Sequence, residues 1–198
     1  MPRHFVRRGA LLLVGCVVLG VGVAMLLTAD LGSDGFSTLV NGVSIGAGVP
    51  FVVANAGISL AFVLLAAARG LRPGIGTLTQ VVVVGFTASW VLALLDTPGT
   101  VLGQALLLAA AFPVVALGIS AYLGAHLGAG PAESAALAWD PPLPFRWSYS
   151  AVQLFGAAVG WLLGATLGPG TLAVIVLLGP TIALTSRLLR LDVRQGAG

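Results

Sequence analysis

Apolar runs, broken by glycine, proline and a few charges, organise this chain. Six are long: about residues 9–28, 50–68, 74–95, 100–124, 148–166 and 169–188. Each approaches the roughly 20 residues a helix needs to cross a bilayer core. None shows the period-two alternation of a barrel strand, so the pattern predicts helices. Pro113 falls inside the fourth run and predicts a kink there. Two further stretches, 32–49 and 128–147, are too apolar for water-exposed loops and too short to span. Each is expected to hold a short helix after a break, re-entrant or interfacial. Ser33 or Asp34 is the expected N-cap of the first. The second opens with Pro131 in its first turn and Glu133 near its N-terminal dipole, and Pro141-Pro142-Leu143-Pro144 stops it.

The breaks repeat. Ala29-Asp30-Leu31-Gly32 ends the first run, and Ala125-His126-Leu127-Gly128 ends the fourth. Gly22 and Gly118 precede them at the same spacing. Gly74-Ile75-Gly76-Thr77-Leu78 opens the third run and Gly168-Pro169-Gly170-Thr171-Leu172 the sixth; Gly85-Phe86-Thr87 then matches Gly179-Pro180-Thr181. The chain therefore reads as a duplication, residues 1–98 and 99–198. Each half has three spans, an odd number, so the second half enters the membrane from the opposite side. The expected fold is all-α and membrane-embedded: six transmembrane helices as two inverted-topology repeats, with a broken helix after the first span of each.

Composition agrees with this class. Of 198 residues, 58% are hydrophobic and 8% charged, with a mean hydropathy of +1.08; a soluble domain carries about 25% charged residues. The basic residues are all arginines, clustered at run ends. Basic residues interleaved with aromatics are absent, so no nucleic-acid partner is expected. The single Cys16 lies within an apolar run, and no clustered His or Cys points to a metal. Arg7-Arg8 resembles a twin-arginine signal and Leu13-Val14-Gly15-Cys16 a lipoprotein cleavage site. The run continues past Cys16 to Thr28 and has a counterpart in the second half, so it reads as an uncleaved first span.

The arginines also set an orientation. Arg3, Arg7 and Arg8 precede the first span, Arg69 and Arg72 lie between the second and third, Arg146 precedes the fifth, and Arg187, Arg190 and Arg194 follow the sixth. With the N-terminus inside, all fall on the cytoplasmic side, opposite Asp30, Asp34 and Asp96. Both termini are then cytoplasmic, in a bacterial plasma (inner) membrane. Trp90, Tyr122, Trp147 and Tyr149, near run ends, are expected at the interfaces.

Four groups of residues can carry function. Gly74, Gly76, Gly168 and Gly170, with Thr77 and Thr171, open helices whose exposed N–H groups can hold an anion or polar head; the competing reading is close helix packing, which the recurrence favours. Gly32 and Gly128 either break helices that line a solute site or cap them. Asp30 and His126, at equivalent positions, are a conceivable gate or protonatable pair, against simple solvation at headgroup level. Asn55, Gln80, Gln104 and Gln153 lie within spans and either line a polar path or bond helix to helix. No acid or base falls mid-span, and no catalytic constellation is visible, so neither a buried carboxylate relay nor an enzyme or cofactor is expected.

These segments, in this order and duplicated, resemble the YczE/YyaS/YitT-like bacterial integral membrane proteins over nearly the whole chain. The resemblance implies a multi-pass topology and little chemistry. In that pattern a proline often stands where this chain has Gly35, and a carboxylate where it has Gln153. The reading that follows is a secondary transporter or exporter for a small neutral or weakly anionic solute. Its tentative site holds Gly32, Asn55, Gly74, Gly76, Thr77, Gln80, Gly128, Gln153, Gly168, Gly170 and Thr171. The alternative is an accessory protein that stabilises or regulates a membrane complex. Beyond the lipid bilayer no partner is indicated, and the oligomeric state is open.

Overall fold

The computed structural model describes residues 3–140 and 142–191. Arg194 and Pro141 lie outside the described residues. Those described form eight helices and no strand: α1 (Arg3–Thr28), α2 (Gly35–Ala47), α3 (Phe51–Ala68), α4 (Ile75–Leu92), α5 (Val101–Gly124), α6 (Pro131–Leu137), α7 (Phe145–Leu162) and α8 (Pro169–Leu188).

Five are long and apolar enough to cross a membrane: α1 from Val6, then α3, α4, α5 and α8. The expected fifth run corresponds to α7, which has 18 residues but carries Arg146, Ser148, Ser150 and Gln153 in its first half, and it does not reach the same apolarity. The short helices appear where the breaks predicted them. Of the two proposed N-caps for α2, Asp34 does the work: its Oδ2 accepts from the Ser37 amide at 2.9 Å.

The centre of the bundle is the pair α1 and α5, packed side by side. A Cβ on Gly15 would lie 2.6 Å from the Tyr122 amide, one on Gly22 2.6 Å from the Val115 side chain, and one on Gly118 2.5 Å from the Leu19 amide. Rising numbers on α1 meet falling numbers on α5, so the two are antiparallel. Glycine lets their backbones approach, which is how helices gain van der Waals contact where lipid removes the hydrophobic drive. Around them α4 packs on α1 and α8 on α5. Outside these, α2 lies on α7 and α3 on α6. The α2–α7 seam is again glycine on glycine: a Cβ on Gly35 would overlap the Gln153 carbonyl, and one on Gly160 the Thr38 carbonyl. Pro113 lies within α5.

Arg8, Arg69 and Asp30 mark the ends. The Arg8 guanidinium donates to the Ala125 carbonyl at 2.6 Å and to that of His126. Leu191, just past α8, touches the position of Gly124. Arg69 donates to the Ala138 carbonyl at 3.2 Å and lies 4.5 Å over the Trp139 ring. The start of α1, the α3–α4 turn, the end of α5 and the end of α8 therefore share one end of the molecule. At the other end Thr166 donates its hydroxyl to Asp30.

Candidate functional site

The repeated segments find each other, crosswise. The Gly76 amide donates to the Leu127 carbonyl at 2.8 Å, and the Gly170 amide donates to the Leu31 carbonyl at 2.7 Å. Each Gly-x-Gly-Thr helix start is thus seated on the break from the other half of the chain. Gly32 (φ 96°) and Gly128 (φ 136°) adopt conformations that side chains rarely tolerate, which turns the chain out of α1 and α5. Thr77 donates to the Ala129 carbonyl at 2.6 Å, whereas the equivalent Thr171 hydroxyl is buried without a partner.

This geometry divides the candidate residues between the two ends of the molecule, as the span count implies for the two Gly-x-Gly-Thr starts. Gly74, Gly76, Thr77 and Gly128 lie at one end of the α1–α5 pair; Gly32, Gly168, Gly170 and Thr171 lie at the other. With α1 26 residues long, the two groups stand on the order of 30 Å apart. The Gly76 and Gly170 N–H groups are already occupied by carbonyls, so these helix starts act as joints. Asp30 and His126 are likewise separated, one at each end, both exposed and both at positive φ (53° and 50°). They do not meet as a pair. Asn55 is used between helices: its Nδ2 donates to the Val81 carbonyl of α4 at 2.9 Å, in space left by Gly85.

What does come together is a polar centre around the first turns of α2 and α6. Gln153 of α7 accepts from the Phe36 amide at 3.1 Å and donates to the Tyr149 hydroxyl at 2.8 Å. Tyr122 of α5 donates its hydroxyl to Glu133 Oε1 at 3.0 Å. Glu133 and Asp34 both act electrostatically on Tyr149, so the N-terminal ends of α2 and α6 bring their carboxylates to one region. Gly130 closes the group. The place a Cβ would take is bordered by Glu133 Oε2 at 2.5 Å and by the Gln80 amide nitrogen at 2.8 Å, with the Gln80 oxygen closer still. That oxygen is buried and has no hydrogen-bond partner.

Burial pushes the Glu133 carboxyl above its ordinary range, and the nearby Asp34 charge adds to this; its backbone hydrogen bond and the one from Tyr122 oppose it. The sequence placed Glu133 only as a helix-dipole acid and Tyr122 at an interface. Tyr122 is instead 1% exposed. A buried phenol needs a partner, and Glu133 supplies it. The available signal was a carboxylate two residues after a proline helix start, inside a segment too apolar for solvent.

A surface cleft lies elsewhere. About 420 Å³ in volume, it lies at the rim between the α3–α4 turn and the end of α6, lined by residues that include Arg69, Leu71, Ala138 and Asp140.

Residues 6–187 match the family of unknown function DUF6198, and the chain belongs to that family. An uncharacterised protein of Haemophilus influenzae (strain ATCC 51907 / DSM 11121 / KW20 / Rd) is 25% identical over 175 residues, 87% of this chain and 80% of that protein. No solved structure matches. Neither match carries the YczE/YyaS/YitT name that the sequence motifs resemble. The class is therefore a multi-pass membrane protein of a family without an assigned activity.

Proposed function

We propose that this chain is a secondary transporter for a small solute, built from two inverted three-span repeats with α7 as the sixth span. One observation carries the reading: two broken helices bring their first turns, with Asp34 and Glu133, to a shared polar centre inside an otherwise apolar bundle. Discontinuous helices meeting between inverted repeats are the architecture of alternating access. The crosswise joints Gly76–Leu127 and Gly170–Leu31, with α2 on α7 answering α3 on α6, supply the pairwise equivalence that such repeats require.

The centre also narrows the solute. Two carboxylates, two phenols and two amides line it, and among the described side chains no arginine is bonded into it. An anion meets repulsion there, so the weakly anionic solute expected from helix dipoles alone gives way to a neutral one rich in hydrogen-bond donors. Purified protein in proteoliposomes, screened for uptake of neutral amides, polyols, amines and amino acids, tests this. Uptake that competes within one chemical class supports transport; no uptake across the panel by folded protein removes it.

A second reading, an accessory protein that stabilises a membrane complex, is favoured by the close packing of the same centre. Gly130 presses against Gln80 and Glu133, and a cleft of about 420 Å³ lies at the rim and not at this centre. Copurification with a stoichiometric membrane partner, without flux, is its signature.

A further inference from the structure

We propose that Glu133 is a proton-binding site: its carboxyl group is neutral in this conformation and donates its Oε2–H to the Oε1 of Gln80. The argument begins with the orphaned acceptor. A buried amide oxygen without a donor is destabilising, so such atoms are rare. Gln80 Oε1 is one, and it and Glu133 Oε2 both border the place that a Cβ on Gly130 would take. Two acceptor oxygens in that position repel. A single proton on Oε2 converts the contact into a hydrogen bond and satisfies both.

The other oxygen is compatible with either form: Glu133 Oε1 accepts from the Tyr122 hydroxyl at 3.0 Å. The charge and burial around it favour the neutral form. From α5 there is Tyr122 and from α7 Tyr149, both uncharged at neutral pH. From α2 there is Asp34, whose negative charge disfavours a second. α3, which packs on α6, holds no ionisable side chain between Phe51 and Ala68, and α4 presents the amide of Gln80. Of the described arginines on this side, Arg69 is engaged with Ala138 and Trp139 at the far end of α6, and Arg72 borders a small cavity beside Ser134 without bonding to Glu133.

The balance of the step is simple. When the first turns of α2 and α6 separate and water enters, the Oε2–H bond breaks, the proton passes to water, and a carboxylate remains. When they close, the carboxylate takes a proton back and Gln80 regains its donor. Closure and proton uptake are thereby linked. The inference holds whether or not the chain moves a solute, because it concerns the proton alone.

Infrared spectroscopy of the full chain in lipid bilayers tests it across a pH titration. The wild type should show the C=O stretch of a protonated carboxylic acid at neutral pH, lost on raising the pH. Glu133→Gln should remove that band, and Gln80→Leu should move it to higher frequency. Glu133→Gln keeps a donor toward Gln80 and an acceptor toward Tyr122, so it should fold. If it does not, the wild-type band and its shift in Gln80→Leu decide the matter. No acid band at neutral pH in folded wild type would overturn the proposal, since the Gln80 amide would then be turned to donate to a carboxylate. A band unmoved by either substitution would overturn it too.

Discussion

Gly170 donates its amide hydrogen to the Leu31 carbonyl at 2.7 Å, and a methyl group on Gly170 would lie 2.6 Å from that same oxygen. Gly76 stands in the same relation to Leu127, where the added carbon would lie 2.8 Å from both the carbonyl carbon and its oxygen. Backbone cannot swing aside as a side chain can. Gly76→Ala and Gly170→Ala should each cost about 1–3 kcal/mol or more and lower the yield of monodisperse protein. Gly57→Ala, inside α3 with nothing within 4 Å of the new methyl, should be neutral or stabilising by up to about 1 kcal/mol. Thermal unfolding in detergent compares them. Equal melting midpoints for Gly170→Ala and Gly57→Ala would remove the joint as a packing element.

The two threonines that follow these glycines should behave differently despite their equivalent positions. Thr77→Val deletes the bond to the Ala129 carbonyl and should destabilise by about 1 kcal/mol. Thr171→Val deletes a buried hydroxyl that has no partner, and should be neutral or stabilising. A larger loss at Thr171 than at Thr77 would mean that the Thr171 hydroxyl has a role in another conformation.

Glu133 should make stability depend on pH. Its carboxyl in the folded protein binds a proton more tightly than a free glutamate, whose ordinary pKa is 4.5. The folded state therefore gains most below that value and loses the gain as pH rises through the raised folded value. The melting midpoint should fall with rising pH across this window, and Glu133→Gln should flatten the dependence. A wild-type midpoint that rises over the same window would contradict the direction of the shift.

Side-specific labelling addresses orientation. Cys16 is buried, so the background is silent. Thr97 and Arg72 are both exposed, in the turns at opposite ends of α4. With the arginine-rich end cytoplasmic, Thr97→Cys should react with an impermeant thiol reagent in intact cells, and Arg72→Cys only after permeabilisation. The reverse pattern would invert the topology.

Much of the architecture was legible in the chain because it is local. Run length and apolarity mark α1, α3, α4, α5 and α8 directly, since a bilayer-spanning helix satisfies its own backbone and needs only about 20 apolar residues in a row. The breaks at Gly32 and Gly128 and the starts at Pro131 and Pro169 were legible because positive φ and a missing N–H belong to single residues. α7 shows the limit: Ser148 is buried and Gln153 is bonded to α2, so polar residues lie inside the bundle and apolarity no longer measures depth.

What the tertiary structure alone decided is which repeated segment meets which, and what lies between them. A sequence can show that Ala29–Gly32 and Gly168–Thr171 each have a twin, but not that each break seats on the other half's helix start, because that pairing is made by α1 and α5 running antiparallel. It is the same crossing that separates the glycine segments to the two ends of the molecule. It is also what turns Tyr122 inward and brings Glu133, Gln80, Asp34, Tyr149 and Gln153, drawn from α6, α4, the cap of α2 and α7, to one centre. A carboxylate near a helix start reads as a surface feature until the fold removes its water. Burial is a property of the assembled helices, and it changes Glu133 from a dipole partner into a group that can hold a proton.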